Sequence, residues 1–163
     1  MLRLALYQPD IPQNAGTMIR MAACLGVAVD IIEPAGFDVS DRNFRRAGLD
    51  YLEHLEVTRH ASWRAFEAFR AERRLRLVLA TTKAATPYTK FAFEATDVVL
   101  VGRESAGVPD EVHAAADARI VVPMRPGRRS LNVAVAAAMI LGEALRQTGA
   151  FPPGAFPPEP PVP

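Results

Sequence analysis

Short apolar runs alternate with amphipathic stretches along most of the chain, and this alternation is what most restricts the fold. The apolar runs predict strands at residues 2–7, 27–32, 51–58, 75–80, 97–101 and 119–122. The amphipathic stretches predict helices at residues 15–25, 40–47, 63–74, 109–116 and 131–146. Strands that alternate with helices in this way predict an α/β fold with a mainly parallel sheet flanked by helices.

The length of 163 residues and a hydrophobic fraction of 50% suit one globular domain with a sizeable core. We assign that domain to residues 1–150. Residues 151–163 hold half of the fourteen prolines, so this segment predicts a flexible or polyproline-like tail. No apolar run is long and pure enough to predict a membrane-spanning helix.

The amino terminus lacks the apolar region and cleavage site of a signal peptide, which favours a cytoplasmic protein. Cys24 is the single cysteine, so the chain has no internal disulfide, and its apolar helical context predicts a core position. The three histidines, at positions 54, 60 and 113, show no metal-ligand spacing with it. The sequence therefore predicts no metal site.

The stretch from Val122 to Gln147 combines an irregular loop with a strong helix. Prolines and Gly127 prevent regular structure in the loop, and an alanine-rich helix follows, for which Ser130 is the predicted N-cap. A basic turn at the start of a helix suits anions or polar ligand atoms. Arg128 and Arg129 are therefore candidates for RNA binding, with solvent exposure alone as the alternative.

Three loops follow apolar strands, at residues 80–83, 102–109 and 122–130. The carboxyl ends of parallel strands meet at one edge of a sheet, so these loops are expected to lie together. Their small residues and backbone polar groups suit a nucleoside. Neither the dinucleotide fingerprint G-x-G-x-x-G after the first strand nor the Walker A loop is present.

Arginine supplies nearly all of the basic residues, with Lys83 and Lys90 as the exceptions. Arginine is the better bidentate phosphate ligand, which is a weak indication of a nucleic-acid partner. Arg42, Arg45 and Arg46 fall on one predicted short helix. They could bind RNA phosphates or form an ordinary solvated face.

Three longer motifs occur in order along the chain. They are Leu-Tyr-Gln-Pro-Asp-Ile-Pro-Gln-Asn-Ala-Gly-Thr-Met-Ile-Arg near the amino terminus, Val-Gly-Arg-Glu-Ser-Ala-Gly-Val-Pro from Val101, and Val-Pro-Met-Arg-Pro-Gly-Arg-Arg-Ser-Leu-Asn-Val from Val122. Together they resemble the motifs of the SPOUT (trefoil-knot) RNA 2′-O-methyltransferases. Ile-Glu-Pro-Ala-Gly-Phe from Ile32 and Arg-Arg-Ala-Gly-Leu-Asp-Tyr from Arg45 are similar to the small branch that methylates the tRNA wobble nucleotide. The resemblance covers roughly residues 2–149.

This resemblance implies a deep C-terminal trefoil knot, S-adenosylmethionine bound in the knot, and an obligate homodimer. By motif position, the cofactor-binding residues would be Ala80, Gly102, Val122, Met124 and Ser130. The catalytic and RNA end would hold Asn14, Arg20, Glu104 and Asn132. One departure is Gly142, which stands before Glu143 where relatives often carry an aromatic residue.

The resemblance implies methylation of the ribose 2′-hydroxyl at position 34, cytidine or modified uridine, in the anticodon stem-loop of tRNA. Two alternatives stay open: the same chemistry on ribosomal RNA or another tRNA position, and a knotted RNA-binding protein without activity. Single-stranded loops are the usual targets of sequence-specific RNA recognition. The presence of all the candidate catalytic residues favours the enzyme.

The 2′-hydroxyl is a poor nucleophile, so a group must remove or stabilise its proton. The motifs offer no histidine or cysteine for that task, and Glu104 is their candidate carboxylate. The resemblance points to Arg20 as the base, which would require burial beside a cationic cofactor. Alternatively, Arg20 stays charged and binds a phosphate while Glu104 or water accepts the proton.

Overall fold

A seven-stranded, wholly parallel sheet forms the centre of the protein in a computed structural model that describes residues 1–37 and 55–154. The strands are β1 (Arg3–Tyr7), β2 (Ala28–Ile32), β3 (Val57–His60), β4 (Arg76–Ala80), β5 (Thr86–Pro87), β6 (Asp97–Val101) and β7 (Ala118–Val121). Their order is β3-β2-β1-β6-β4-β7-β5, and each neighbouring pair is parallel. The loops after β6, β4 and β7 therefore leave neighbouring strands at one edge.

Helices cover both faces of this sheet. They are α1 (Pro12–Leu25), α2 (Trp63–Glu72), α3 (Asp110–Ala115) and α4 (Val133–Thr148), and a 3-10 turn spans Tyr88–Lys90. α1 and α4 pack on each other and on one face, and α2 and α3 supply Phe66 and Val112 to the core of the other. In the described part of the chain, no helix is long and apolar enough to cross a membrane.

The two faces explain why residues 4–7 of β1 are apolar. Leu4 and Leu6 point into the core beneath α1 and α4, whereas Ala5 and Tyr7 belong to the core beneath α2. All five residues of β1 are buried, which is the pattern expected for a central parallel strand. The predicted α/β class and parallel sheet are confirmed.

Most predicted boundaries agree with the structure, and the differences have local causes. β3 continues to His60, two residues beyond the prediction, because pairing with Asp30 lets a polar residue enter the core. The short β5 was not predicted, since its two residues form a strand only by pairing with β7. The predicted helix at 40–47, the first part of the strand at 51–58 and most of the predicted tail lie outside the described residues.

A buried ion-pair cluster lies beneath α2. The Arg3 guanidinium donates to both carboxylate oxygens of Asp30, at 2.7 and 3.2 Å, and His60 Nε2 lies 2.8 Å from Asp30 Oδ1. Asp30 is fully buried, and Arg3 also reaches the more exposed Glu56 at 2.8 Å. Each charge in this cluster is therefore paired, as burial requires.

Two helices begin at other residues than predicted, and the predicted cap of one is wrong. α1 begins at Pro12, ahead of Asn14, because proline suits the first helical position and needs no hydrogen bond there. α4 is capped by Asn132, whose side-chain oxygen accepts from Ala134 N and Val135 N at 2.9 and 3.3 Å, rather than by Ser130. Both asparagine side chains lie close to the carboxyl edge of the sheet.

Cys24 is exposed on α1, which corrects the prediction of a core position. The buried face of α1 consists instead of Ala15, Gly16, Met18, Ile19 and Ala22. Cys24 lies on the opposite stripe of the same helix, where the spacing of apolar residues alone did not distinguish the two sides.

The end of α4 is fastened to the segment after the 3-10 turn. Gln147 accepts from Phe93 N at 2.9 Å and donates to Phe91 O at 3.0 Å, so one amide bridges two backbone groups. Gln147 also donates to Glu143 at 2.7 Å. This packing, after β7 has entered the sheet between β4 and β5, is consistent with the trefoil knot, which stays a prediction.

Candidate active site

A cavity of about 500 Å³ opens at the carboxyl edge of β6, β4 and β7. Its walls come from the three loops that follow these strands and from the first turns of α4. The volume lies within the range of small-molecule sites, and both apolar side chains and polar groups line the cavity. This is the edge where open parallel sheets bind ligands.

The residues predicted to bind the cofactor all line this one cavity: Ala80, Gly102, Val122, Met124 and Ser130. The structure thus brings the three predicted loops together, and cofactor contact by these residues stays a prediction. Lys83, in the predicted loop at residues 80–83, also lines the cavity, whereas sequence reasoning missed His113 and Ala136, which line it as well. His113 was considered only as a metal ligand, and no pattern in the sequence places its helix beside the three loops.

The loop after β6 is a tight turn held by glycine. Arg103 and Gly107 exchange backbone hydrogen bonds of 3.0 and 2.7 Å, and Gly107 has a φ of 65°, which favours glycine. A Cβ added to Gly102 would lie 2.7 Å from the carbonyl carbon of Gly107. These glycines therefore let the turn close and present Glu104 at its tip.

Three of the four predicted catalytic residues meet beside the cavity. Asn132 Nδ2 donates to Asn14 Oδ1 at 3.1 Å, and Asn14 Nδ2 donates to Glu104 Oε1. Asn132 also caps α4 through its side-chain oxygen, so hydrogen bonds fix both the oxygen and the nitrogen of its amide group. The donors therefore follow one order, from Asn132 to Asn14 and from Asn14 to Glu104. Glu104 and Asn132 both line the cavity, so the carboxylate lies where a bound substrate could reach it.

Asp10 joins this group from the loop after β1. Its Oδ1 accepts from Glu104 N at 3.1 Å, and its Oδ2 accepts from Ser105 N at 3.3 Å and from the Ser105 hydroxyl. Arg103 Nε lies 3.8 Å from the same carboxylate. Sequence reasoning missed this role, and the only available signal was an aspartate within the first motif.

The two carboxylates of the site have opposite pKa shifts. Burial raises the pKa of Glu104, the hydrogen bond from Asn14 opposes this, and the negative charge of Asp10 raises it further, so the pKa lies above the usual value. For Asp10, burial favours the neutral form, but the hydrogen bonds from Ser105 and Glu104 prevail and lower the pKa. Asp10 thus stays charged while Glu104 becomes a better proton acceptor.

Arg20 lies elsewhere than the other predicted catalytic residues. It is exposed on α1, about 120° around the helix from Asn14, and it does not line the cavity. The burial that the base hypothesis requires is therefore not present in a single chain. Its charged, phosphate-binding alternative is compatible with this exposure.

The arginines predicted to bind RNA divide into two groups. Arg128 and Arg129 are exposed on the loop that precedes Ser130 at the cavity wall. Arg42, Arg45 and Arg46 lie outside the described residues. Within residues 1–37 and 55–154, no group of histidine, cysteine and carboxylate side chains could hold a metal ion, and the absence of a metal cofactor stays a prediction.

The residues of the cavity fit S-adenosylmethionine in size and chemistry. Apolar side chains such as Ile120 and Val122 suit the purine and the thioether carbons, and the polar rim suits the ribose and the amino-acid group. Glu104 and Asn132 lie on the wall of the same cavity. This fit depends on the cavity itself and not on any single residue.

Comparison with known proteins identifies the family of the chain. Residues 1–142 match the SpoU rRNA Methylase family. A protein of Beijerinckia indica named tRNA (cytidine(34)-2′-O)-methyltransferase is 67% identical over 148 residues, which are 91% of this chain and 92% of the relative. The similarity therefore extends over almost the full length of both proteins.

Solved structures extend the comparison to the fold. One, described as "Structural insights into the 2-OH methylation of C/U34 on tRNA", has a TM-score of 0.83 and 41% identity, with 90% of this chain and 95% of that chain covered. The SpoU methyltransferase AviRb of Streptomyces viridochromogenes in complex with AdoMet has a TM-score of 0.83 and 29% identity, with 90% and 60% covered. On sequence and structure together, the chain belongs to the SpoU methylase family.

Proposed function

We propose that this protein transfers a methyl group from S-adenosylmethionine to the ribose 2′-hydroxyl of nucleotide 34 in the anticodon loop of tRNA. The observation that carries the proposal is the position of Glu104, which is linked to Asn14 and Asn132 and lies on the wall of a cofactor-sized cavity. A proton acceptor beside a methyl-donor site is what methylation of a hydroxyl requires.

The named relatives support a tRNA substrate over ribosomal RNA. The relative from Beijerinckia indica, named for cytidine 34 of tRNA, is matched over 92% of its length. An exposed anticodon loop has unstacked bases that a protein can recognise directly.

The cavity would hold the cofactor through the loops that end β4, β6 and β7. S-adenosylmethionine, when bound, supplies an electrophilic methyl group to the reaction. Ala80, Gly102 and Val122 leave room for it and offer backbone hydrogen-bonding groups, and Met124 and Ser130 close the wall.

Glu104 accepts the proton of the ribose hydroxyl in this proposal. Its raised pKa makes the carboxylate a stronger base than an ordinary glutamate. Asn14 fixes the orientation of the carboxylate, and Asn132 fixes Asn14. Arg20 remains charged on the exposed side of α1 and binds a phosphate of the RNA backbone.

The RNA surface would extend from the cavity across the basic loop before α4. Arg128 and Arg129 are exposed there, next to cavity residue Ser130, where they could contact phosphates on either side of the target nucleotide. We assign the same role to Arg42, Arg45 and Arg46 on the strength of their sequence pattern. If these arginines contact several phosphates, tRNA binding should depend strongly on salt concentration.

A homodimer is part of the proposal, because α4 leaves an apolar face exposed beside the site. Val135 and Met139 are 51% and 39% exposed one turn apart, and Leu131 and Ile11, each 40% exposed, continue this face toward the catalytic cluster. A second copy of the chain would bury these side chains. Sedimentation should give a dimer at micromolar concentration, and Val135→Glu should weaken it without unfolding the monomer.

The proposed activity can be tested with purified protein and a transcribed tRNA that carries cytidine at position 34. Mass spectrometry of nuclease fragments should locate one 2′-O-methyl group at that nucleotide, and none when the same tRNA carries 2′-deoxycytidine there. Methylation of ribosomal RNA instead would favour the first alternative. Binding of tRNA and S-adenosylhomocysteine without transfer to any RNA would favour the non-catalytic one. We expect the reaction in the cytoplasm, where tRNA is available.

A further inference from the structure

We propose that Asp10 is a positioning residue for Glu104: its carboxylate holds the turn at the tip of the β6 loop and so fixes where Glu104 accepts a proton. The inference rests on the proposed role of Glu104 in methyl transfer. It assigns a function to a residue of the first motif that does not line the main cavity.

The contacts of Asp10 are directed at the backbone that carries Glu104. The amides of Glu104 and Ser105 are consecutive and donate to different oxygens of one carboxylate, at 3.1 and 3.3 Å. The Ser105 hydroxyl adds a third hydrogen bond. Consecutive N–H groups that converge on an anion form a rigid concave site, so the turn cannot rotate without losing several bonds at once.

The backbone around Asp10 is itself held in place by the loop after β2. Gly36 N donates to Pro9 O at 2.8 Å, and a Cβ added to Gly36 would lie 3.0 Å from the Asp10 Cα. The Asp10 side chain is 16% exposed. The loop after β1 is thereby fixed between the loop after β2 and the β6 loop, and Asp10 transmits that fixed position to Glu104.

Asp10 acts on Glu104 through its negative charge as well as through its hydrogen bonds. The titratable or charged groups around Asp10 are Glu104, Arg103 at 3.8 Å, and Tyr7, which lines the same small cleft as Asp10 and Glu104. Asp10 raises the pKa of Glu104, an effect second to burial among those that favour the neutral form. Loss of the negative charge should therefore lower that pKa and move the acid limb of the activity profile to lower pH.

The test compares Asp10→Asn and Asp10→Ala in single-turnover methyl transfer to tRNA as a function of pH, each alone and combined with Glu104→Gln. Asp10→Asn keeps an acceptor but loses the charge, so it should shift the acid limb to lower pH with less than about a tenfold loss of maximum rate. Asp10→Ala should lower the maximum rate roughly 10- to 100-fold and leave affinity for S-adenosylhomocysteine nearly unchanged.

In the Glu104→Gln background, neither Asp10 variant should have a further effect on the residual rate. The matched control is Asp110→Asn, the same substitution at an exposed position just after the β6 loop, which should behave as wild type. Equal losses from Asp10→Ala in both backgrounds, or loss of melting temperature without any change of rate or profile, would overturn the inference. An unaffected Glu104→Gln variant would instead overturn the proposed role of Glu104.

Discussion

Two polar clusters bring together residues from distant parts of the chain, and they differ in burial and in what lies beside them. Arg3, Asp30 and His60 form a cluster beneath α2 in which each residue is at most 6% exposed. Asn14, Glu104 and Asn132 form a cluster at the rim of a cavity, where Glu104 and Asn132 are exposed. The residues of the first cluster do not line that cavity, so we expect their charges to serve folding.

The hydrogen bonds of the buried cluster and of the rim cluster serve different purposes. In the buried cluster, Asp30 is shared by Arg3 and His60, and this pairing compensates for the loss of water. In the rim cluster, hydrogen bonds run from Asn132 through Asn14 to one oxygen of Glu104, and the carboxylate stays accessible. Variants of the two clusters should therefore affect different quantities, stability in one case and rate in the other.

The largest effect on rate should come from Glu104→Gln. The amide keeps the shape and can still accept from Asn14, but it cannot take a proton, so single-turnover methyl transfer should fall by about 10²- to 10⁴-fold. The melting temperature should change little, because the side chain is exposed. Glu72→Gln, an exposed carboxylate on α2, serves as the control. A near wild-type rate for Glu104→Gln would return the role of base to Arg20.

The largest effect on stability should come from Asp30→Ala. This change leaves the Arg3 guanidinium buried without its main partner, which should reduce the free energy of unfolding by about 3–5 kcal/mol. Glu56→Gln is the matched control, since it removes the exposed partner of the same arginine and should change stability by less than about 1 kcal/mol. Urea unfolding measures both. Equal losses of stability from Asp30→Ala and Glu56→Gln would mean that burial does not decide how much each ion pair contributes.

A smaller loss of stability is expected for Gln147→Ala. The variant removes the bridge from α4 to Phe93 N and Phe91 O and leaves a partly buried amide without its acceptor, which should lower the free energy of unfolding by about 1–3 kcal/mol. Arg146→Gln alters only an exposed pair with Glu143 and should have little effect. Hydrogen exchange at Phe93 should be faster in the first variant only.

The sequence predicted β1, β2, β4, β6 and β7 well because each is a short, mainly apolar run whose burial depends on local pattern. The cavity was predicted for a similar reason: parallel strands place their following loops at one edge, so Ala80, Gly102 and Val122 were expected to meet. Contacts that depend on three-dimensional approach were missed. Asp10 is 94 residues from Glu104 along the chain, and nothing in either local pattern indicates their pairing.

The helix caps show the same limit on a smaller scale. Ser130 and Asn132 are both good capping residues by type, and only the path of the loop decides that Asn132 caps α4. The exposure of Arg20 and Cys24 depends on which side of α1 faces α4, which apolar spacing did not resolve. Local propensity thus predicted that a helix begins near Ser130, and the tertiary structure determined the residue at which it begins.

The smallest effect is expected from Asn132→Asp. This variant separates the two roles of Asn132, which caps α4 and donates to Asn14. Asn132→Asp keeps the capping oxygen and places a negative charge at a helix N-terminus, so stability should change by less than about 0.5 kcal/mol. The aspartate cannot donate to Asn14 Oδ1, so Asn14 is less well held against Glu104, and the rate of methyl transfer should fall by up to about tenfold. Asn132→Ala removes both roles and should lose about 0.5–2 kcal/mol of stability in addition. If Asn132→Asp retains the full rate, the hydrogen bond to Asn14 does not contribute to the reaction, and Asn132 then belongs with the residues that serve folding alone.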